Sequence, residues 1–219
     1  MTEATMDETS AAAEEEERSG GQRMEDNLRW FGDFIFRPFL WFFKKLRISP
    51  NLITCFGIAL AIGAGYFLAV GNVPLAAVLF ASSGVLDLVD GYVAKALDRV
   101  TPFGSFLDSF SDRISDSAVF LGLAVYYMRL GDGIYVGLSL VLLVCSFLVS
   151  YIRAKAESMG VEGKGGLMAR APRLLAIGVG LFFNGLSPWI LKIVLIIVTA
   201  MIVETLIERF IVVWKAFDK

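Results

Sequence analysis

Six aspartates stand inside stretches that are otherwise apolar: Asp87, Asp90 and Asp98 in one, Asp108, Asp112 and Asp116 in the next. A charge within a membrane-length apolar run costs at least a few kcal/mol, so such groups read as a functional site. Spacing sorts them. Asp87 and Asp90 are i, i+3, and Asp108 and Asp112 are i, i+4, so on helices each pair shares one face. The short break at Thr101-Pro102 would make the two helices antiparallel neighbours, with four carboxylates converging near one helix end. Four carboxylates cannot stand together ionised without a counter-charge. An oxygen-only ligand set selects Mg²⁺, Mn²⁺ or Ca²⁺ over zinc. Two divalent ions, about 4 Å apart in sites of this kind, with phosphate oxygens as co-ligands, would supply that charge and the means of phosphoryl transfer. The nearby cations Lys95, Arg99 and Arg113 are three against six acids, too few for a purely structural set of ion pairs. With no histidine in the chain, His general bases, Ser-His-Asp triads and His-ligated zinc are excluded. Cys55 and Cys145 lie in apolar runs without CxxC spacing and read as buried small hydrophobes.

The elements that position these acids follow from hydropathy. The 219 residues are 56% hydrophobic and 19% charged, with eighteen Phe and a mean hydropathy of +0.66. Water would meet that composition as large apolar patches, whereas a bilayer accepts it. Six apolar segments stand at about 52–70, 73–97, 103–128, 134–153, 167–183 and 189–214, each near or above the length needed to cross hydrocarbon. The breaks carry turn chemistry, as at Gly71-Asn72, Gly131-Asp132-Gly133 and Asn184 to Pro188. The expected fold class is all-α: a polytopic membrane bundle of six transmembrane helices preceded by an interfacial amphipathic helix. That preceding helix occupies 24–47, where Trp30, Phe31, Trp41 and Phe42 alternate with Arg29, Arg37, Lys44 and Lys45, and Pro38 interrupts it. Residues 1–23 read as a disordered acidic tail, within a stretch to residue 26 that holds nine acids and two arginines. Residues 48–219 form the six-span domain.

Cations gather at alternate breaks: Lys44, Lys45 and Arg47; Lys95 and Arg99; Arg153, Lys155, Lys164, Arg170 and Arg173; Arg209, Lys215 and Lys219. The opposite breaks hold one, Arg129. The positive-inside rule then puts both termini and the acid cluster on the cytoplasmic side of the cell membrane.

The run Asp87-x-x-Asp90-Gly91-x-x-Ala94-Lys95, eight residues, Gly104-x-x-x-Asp108-x-x-x-Asp112 resembles the signature of the CDP-alcohol phosphotransferases in every fixed spacing. Lys95 stands where the family pattern has Arg. The resemblance implies transfer of a phosphatidyl-type group from a CDP-linked lipid to an alcohol, with release of CMP, at a site of two Mg²⁺ or Mn²⁺ ions. It makes Asp87, Asp90, Asp108 and Asp112 metal ligands, and Asp112 also the catalytic base. It assigns Gly91, Lys95 and Thr101 to the nucleotide, together with Asn51, Leu52, Ile53 and Thr54 of the segment that opens the first span. It further implies a homodimer in a lipid membrane and no nucleic-acid partner.

The flanking stretches, from Thr101 through Ser117 and from Ser150 through Arg173, resemble the inositol-phosphate branch: the phosphatidylinositol-phosphate synthases of actinobacteria and archaetidylinositol-phosphate synthases of archaea. That implies inositol 1-phosphate as acceptor, a phosphorylated polyol whose phosphate Arg153, Lys155, Arg170 and Arg173 would hold. Ala169 and Pro172 take the positions where that branch usually has acids. Glycerol 3-phosphate, giving phosphatidylglycerophosphate, needs a similar basic pocket and stays open, as does serine. From another class, a cation transporter would also carry intramembrane carboxylates, near the midplane on broken helices.

Overall fold

A computed structural model describes residues 49–97, 101–161 and 168–218. These form six helices and no strand: α1 (Pro50–Ala69), α2 (Val73–Ala96), α3 (Pro102–Arg129), α4 (Gly133–Ser158), α5 (Arg170–Phe183) and α6 (Pro188–Phe217). The expected tail at 1–23 and the interfacial helix at 24–47 lie outside the described residues, as do Asp98, Arg99 and Lys164.

Local chemistry sets the helix starts. Proline is the first residue of α1, α3 and α6 and the second of α2, where its missing N–H has no helical partner to lose. Side chains cap three of these starts: Asn72 accepts from the Leu75 amide at 3.3 Å, Thr101 from the Gly104 amide at 3.0 Å, and Ser187 from the Trp189 amide at 3.4 Å.

The helices close into a ring. α1 packs on α2 and α3, α3 on α4, α4 on α6, α6 on α5, and α5 on α2. The expectation that α2 and α3 are neighbours is narrowed here: each packs along α1 rather than along the other, and the two approach where the carboxylates of Asp87, Asp108 and Asp112 converge. Apolar helices in lipid associate through close packing of small residues rather than through the hydrophobic effect. α1 offers that face with Gly57, Ala61, Ala64 and Gly65, whereas the acid-bearing halves of α2 and α3 gain nothing by burying against one another. At the α1–α3 crossing, a Cβ added to Gly65 would overlap the Ala118 carbonyl, and one added to Gly122 would overlap the Gly65 carbonyl. Only glycine permits that approach.

The bundle has two unlike ends. Leu68 of α1, Val73 of α2, Phe120 and Tyr127 of α3, Leu142 of α4, Leu181 of α5 and Leu191 of α6 belong to one buried apolar cluster. At the other end a small cluster of Ile53, Val89 and Val93 ties α1 to α2, and the acids fill the space beyond.

Four helices, α1, α2, α4 and α6, are long and apolar enough to cross a membrane. α3 has the length, with 28 residues, but carries the acids. α5 is shorter than the expected segment at 167–183: its 14 residues rise about 21 Å. Pro172 explains the late start, since proline is tolerated in a first turn and breaks an interior one. Phe56, Leu88, Phe182 and Trp189 are each 63–71% exposed, an outward apolar surface that suits lipid.

Candidate active site

Of the four carboxylates expected to converge, the fold brings three together. Asp87, Asp108 and Asp112 each offer one carboxylate oxygen, and those oxygens lie within 4.8 Å of one another. An all-oxygen, dianionic-to-trianionic set of that size suits a hard divalent cation. Asp90 is not one of the three. It is 4% exposed, and its Oδ2 accepts the Thr54 hydroxyl at 2.5 Å. Thr54 Oγ1 is also 3.2 Å from the Pro50 carbonyl, so the first turn of α1 holds this carboxylate in place.

Cationic partners arrive from α5. Arg170 Nη1 donates to Asp87 Oδ2 at 2.9 Å and lies 2.7 Å from Asp112 Oδ1, while its Nε is 3.5 Å from Asp116 Oδ1. Arg173, one turn on, is 2% exposed, and its Nη2 donates to Asp116 Oδ2 at 2.6 Å. Arg113 bridges the Ser109 carbonyl at 2.6 Å and Asp112 Oδ2 at 3.4 Å. Asp116 is thus a site residue that the motif omits. Its signal is in the sequence, because it continues the i, i+4 series of Asp108 and Asp112.

The remaining expected residues divide into those near the acids and those used by the scaffold. Gly91 is exposed, and a Cβ there would meet nothing within 4 Å beyond its own stretch of helix, so its bareness leaves room for a ligand rather than another helix. Thr101 caps α3 through its Oγ1. A Cβ built on Gly104 would stand 3.1 Å from that Oγ1 and 3.5 Å from Asn51 Oδ1, so the starts of α1 and α3 meet here. Leu52 is exposed, and Lys95 is exposed in the last turn of α2. Ile53, in contrast, is buried against Val89 and Val93 and brings no polar atom to a nucleotide. On α4, Arg153 pairs with Glu157 at 2.9 Å, both exposed, and Lys155 is exposed beside them. Arg209 of α6 is 7% exposed and donates to the Val149 carbonyl at 3.1 Å. The sequence marked it only as a topological charge.

Two spaces adjoin the acids. A cavity of about 10 Å³, room for one water, lies among Asp112, Arg113, Asp116, Ser146, Ser150 and Arg170. A groove of about 530 Å³ begins at Asp87, Asp116 and Arg170 and continues along Phe80, Leu174 and Val179. An apolar groove that ends at a charged cluster can hold a lipid whose headgroup reacts while its chains stay in hydrocarbon. α2 and α3 are continuous through the acids, unlike the broken helices a transporter site calls for.

The sequence of residues 47–215 matches the CDP-alcohol phosphatidyltransferase family, and the chain belongs to it. It is 39% identical to the archaetidylinositol phosphate synthase of Methanothermobacter thermautotrophicus, over 78% of this chain and 86% of that one. It is 32% identical to the phosphatidylinositol phosphate synthase of Corynebacterium glutamicum, over 83% of this chain and 85% of that one. The crystal structure of the Mycobacterium tuberculosis phosphatidylinositol phosphate synthase with CDP-DAG bound superposes with a TM-score of 0.76 at 28% identity, covering 82% of this chain and 94% of that one. The same enzyme in complex with manganese and citrate superposes at 0.75. This chain is accordingly a membrane enzyme of phospholipid biosynthesis, a transferase that takes a CDP-linked lipid and an alcohol and works with divalent metal.

Proposed function

We propose that the chain transfers the phosphatidyl-type group of CDP-diacylglycerol or CDP-archaeol to inositol 1-phosphate, releasing CMP. The observation that carries this reading is the meeting of the motif acids Asp87, Asp108 and Asp112 with the Arg170 guanidinium, an anion-binding group, at one end of a lipid-sized groove. The inositol-phosphate synthases among its relatives support the choice of acceptor.

Asp87, Asp108 and Asp112, joined by Asp90, would hold Mg²⁺ or Mn²⁺, two ions in all. When bound, these ions neutralise the diphosphate and the charge that develops as it is cleaved. The chain's own residues do the rest. The acceptor's hydroxyl oxygen attacks the phosphorus that carries the lipid, and the bond from that phosphorus to the bridging oxygen breaks, leaving CMP. Asp112 accepts the hydroxyl proton, a role open to it because no histidine exists. Gly91 leaves space for the nucleotide, with Asn51, Lys95 and Thr101 around it. Arg170, with Arg153 and Lys155 on the neighbouring turns of α4, faces the acceptor's phosphate, for which arginine forks are well matched.

In this reading residues 48–219 form the catalytic domain, assembled as a homodimer. Both termini and the active site face the cytoplasm. The test is CMP release from purified enzyme with Mg²⁺ or Mn²⁺ and a panel of inositol 1-phosphate, glycerol 3-phosphate and serine. Inositol 1-phosphate should be strongly preferred. CMP with glycerol 3-phosphate alone would refute the acceptor, and none with any acceptor would refute the activity.

A further inference from the structure

Two arginines one turn apart meet the same acids in different ways. Arg173 makes a single buried pair with Asp116, at 2.6 Å and 2% exposed. Arg170, the first residue of α5, keeps 28% of its side chain exposed and spreads over three carboxylates at 2.9, 2.7 and 3.5 Å. Its fit is poor. Only the Asp87 contact has hydrogen-bond geometry, and Asp112 Oδ1, Asp116 Oδ1 and Arg170 Nε are buried without a hydrogen-bond partner, as is Nε of Arg173, whose fork still donates to Asp116. Two of the acids it engages, Asp87 and Asp112, are among the three whose oxygens converge within 4.8 Å. A guanidinium and a divalent cation compete for those carboxylates and repel each other, so a cation entering the cluster disfavours Arg170 where it stands here.

We propose that Arg170 is a displaceable counter-ion: it holds the Asp87 and Asp112 carboxylates until a divalent ion enters, and the ion then expels its guanidinium to the acceptor's phosphate. The second half rests on the reading of the acceptor as a phosphorylated alcohol. Metal and acceptor then bind with positive coupling, because each removes a competitor of the other, and the coupling is reciprocal. Arg173 does not take part, since its own pair leaves it nowhere to go. A direct bond between metal and phosphate would also couple the two ligands, but without need of Arg170.

The test is Mn²⁺ binding to the purified full chain in lipid nanodiscs, followed by the electron-paramagnetic-resonance signal of free Mn²⁺. No CDP-lipid is present, so nothing turns over. For the wild type, saturating inositol 1-phosphate should tighten Mn²⁺ binding about tenfold, within the usual range of such couplings. Arg170→Gln should bind Mn²⁺ more tightly than wild type without anion, and the anion should no longer change that affinity. Weaker Mn²⁺ binding in Arg170→Gln, or coupling of wild-type size in it, overturns the proposal. Arg170→Gln leaves acids unpaired when metal is absent. Mn²⁺ should therefore raise its melting temperature more than that of the wild type, while Arg170→Lys, which keeps the charge without the fork, should show intermediate coupling. The wild-type experiment stands alone if both variants fail to fold: no coupling there overturns the proposal. If inorganic phosphate couples to Mn²⁺ and inositol 1-phosphate does not, the acceptor assignment falls and the counter-ion role stands. If the enzyme turns over inositol 1-phosphate without any coupling, the counter-ion role alone falls.

Discussion

Replacing Thr54 with valine removes one hydroxyl from the site and little else. Valine keeps the shape of threonine, so the clamp of Ile53 on Val89 and Val93 remains. What is lost is the 2.5 Å bond to Asp90 Oδ2, within a pair that is 7% and 4% exposed. A hydrogen bond to an ionised group contributes about 1.5–3 kcal/mol, and a carboxylate without it is free to rotate out of the position a metal needs. Every 1.4 kcal/mol is a factor of ten, so kcat/KM for CMP release should fall roughly 10- to 100-fold. The Mn²⁺ concentration for half-maximal rate should rise in the same variant, with the KM for CDP-lipid little changed. Thr54→Ser, which restores the hydroxyl, should recover most of the loss. The assay is initial CMP release across a Mn²⁺ titration, with thermal unfolding as the control for folding. A wild-type rate and Mn²⁺ requirement in Thr54→Val would refute the reasoning. A raised KM for CDP-lipid alone would move Thr54 from Asp90 to the nucleotide.

Gly91→Ala should unfold at the wild-type temperature, since its Cβ meets nothing beyond its own stretch of helix, yet its KM for CDP-lipid should rise; both follow from one preparation by melting and CMP release. Gly65→Ala and Gly122→Ala overpack the α1–α3 crossing against backbone carbonyls, and each should lose about 1–3 kcal/mol or more of stability, read as a lower melting temperature in detergent. Arg173→Met alone should be destabilised by up to about 3–5 kcal/mol, because buried Asp116 loses its hydrogen-bonded partner and keeps only the 3.5 Å contact with Arg170. Adding Asp116→Leu should recover most of that stability, and an additive second loss would contradict the coupling of Arg173 to Asp116.

The chain itself specifies what depends on neighbours a few residues away. The i, i+3 and i, i+4 spacing of Asp87 and Asp90 and of Asp108 and Asp112 puts each pair on one face of any helix that forms. Pro50, Pro74, Pro102 and Pro188, with the caps at Asn72, Thr101 and Ser187, mark helix starts. Pro172 marks the start of α5 in the same way, because proline is tolerated in a first turn and not in a helix interior. The motif with Gly91, Lys95 and Gly104 is likewise local, which is why the family was legible. Partnership across the bundle was not. Whether Thr54 would serve a nucleotide or Asp90, 36 residues away, and whether Arg170 would stand apart or enter a cluster 83 residues distant at Asp87, depends on how the ring closes. That closure is set by the glycines and alanines of α1, which draw both α2 and α3 onto this one helix and let their acids converge at one end. Spacing along the chain decides which carboxylates share a face, while packing alone decides which of them share a cation.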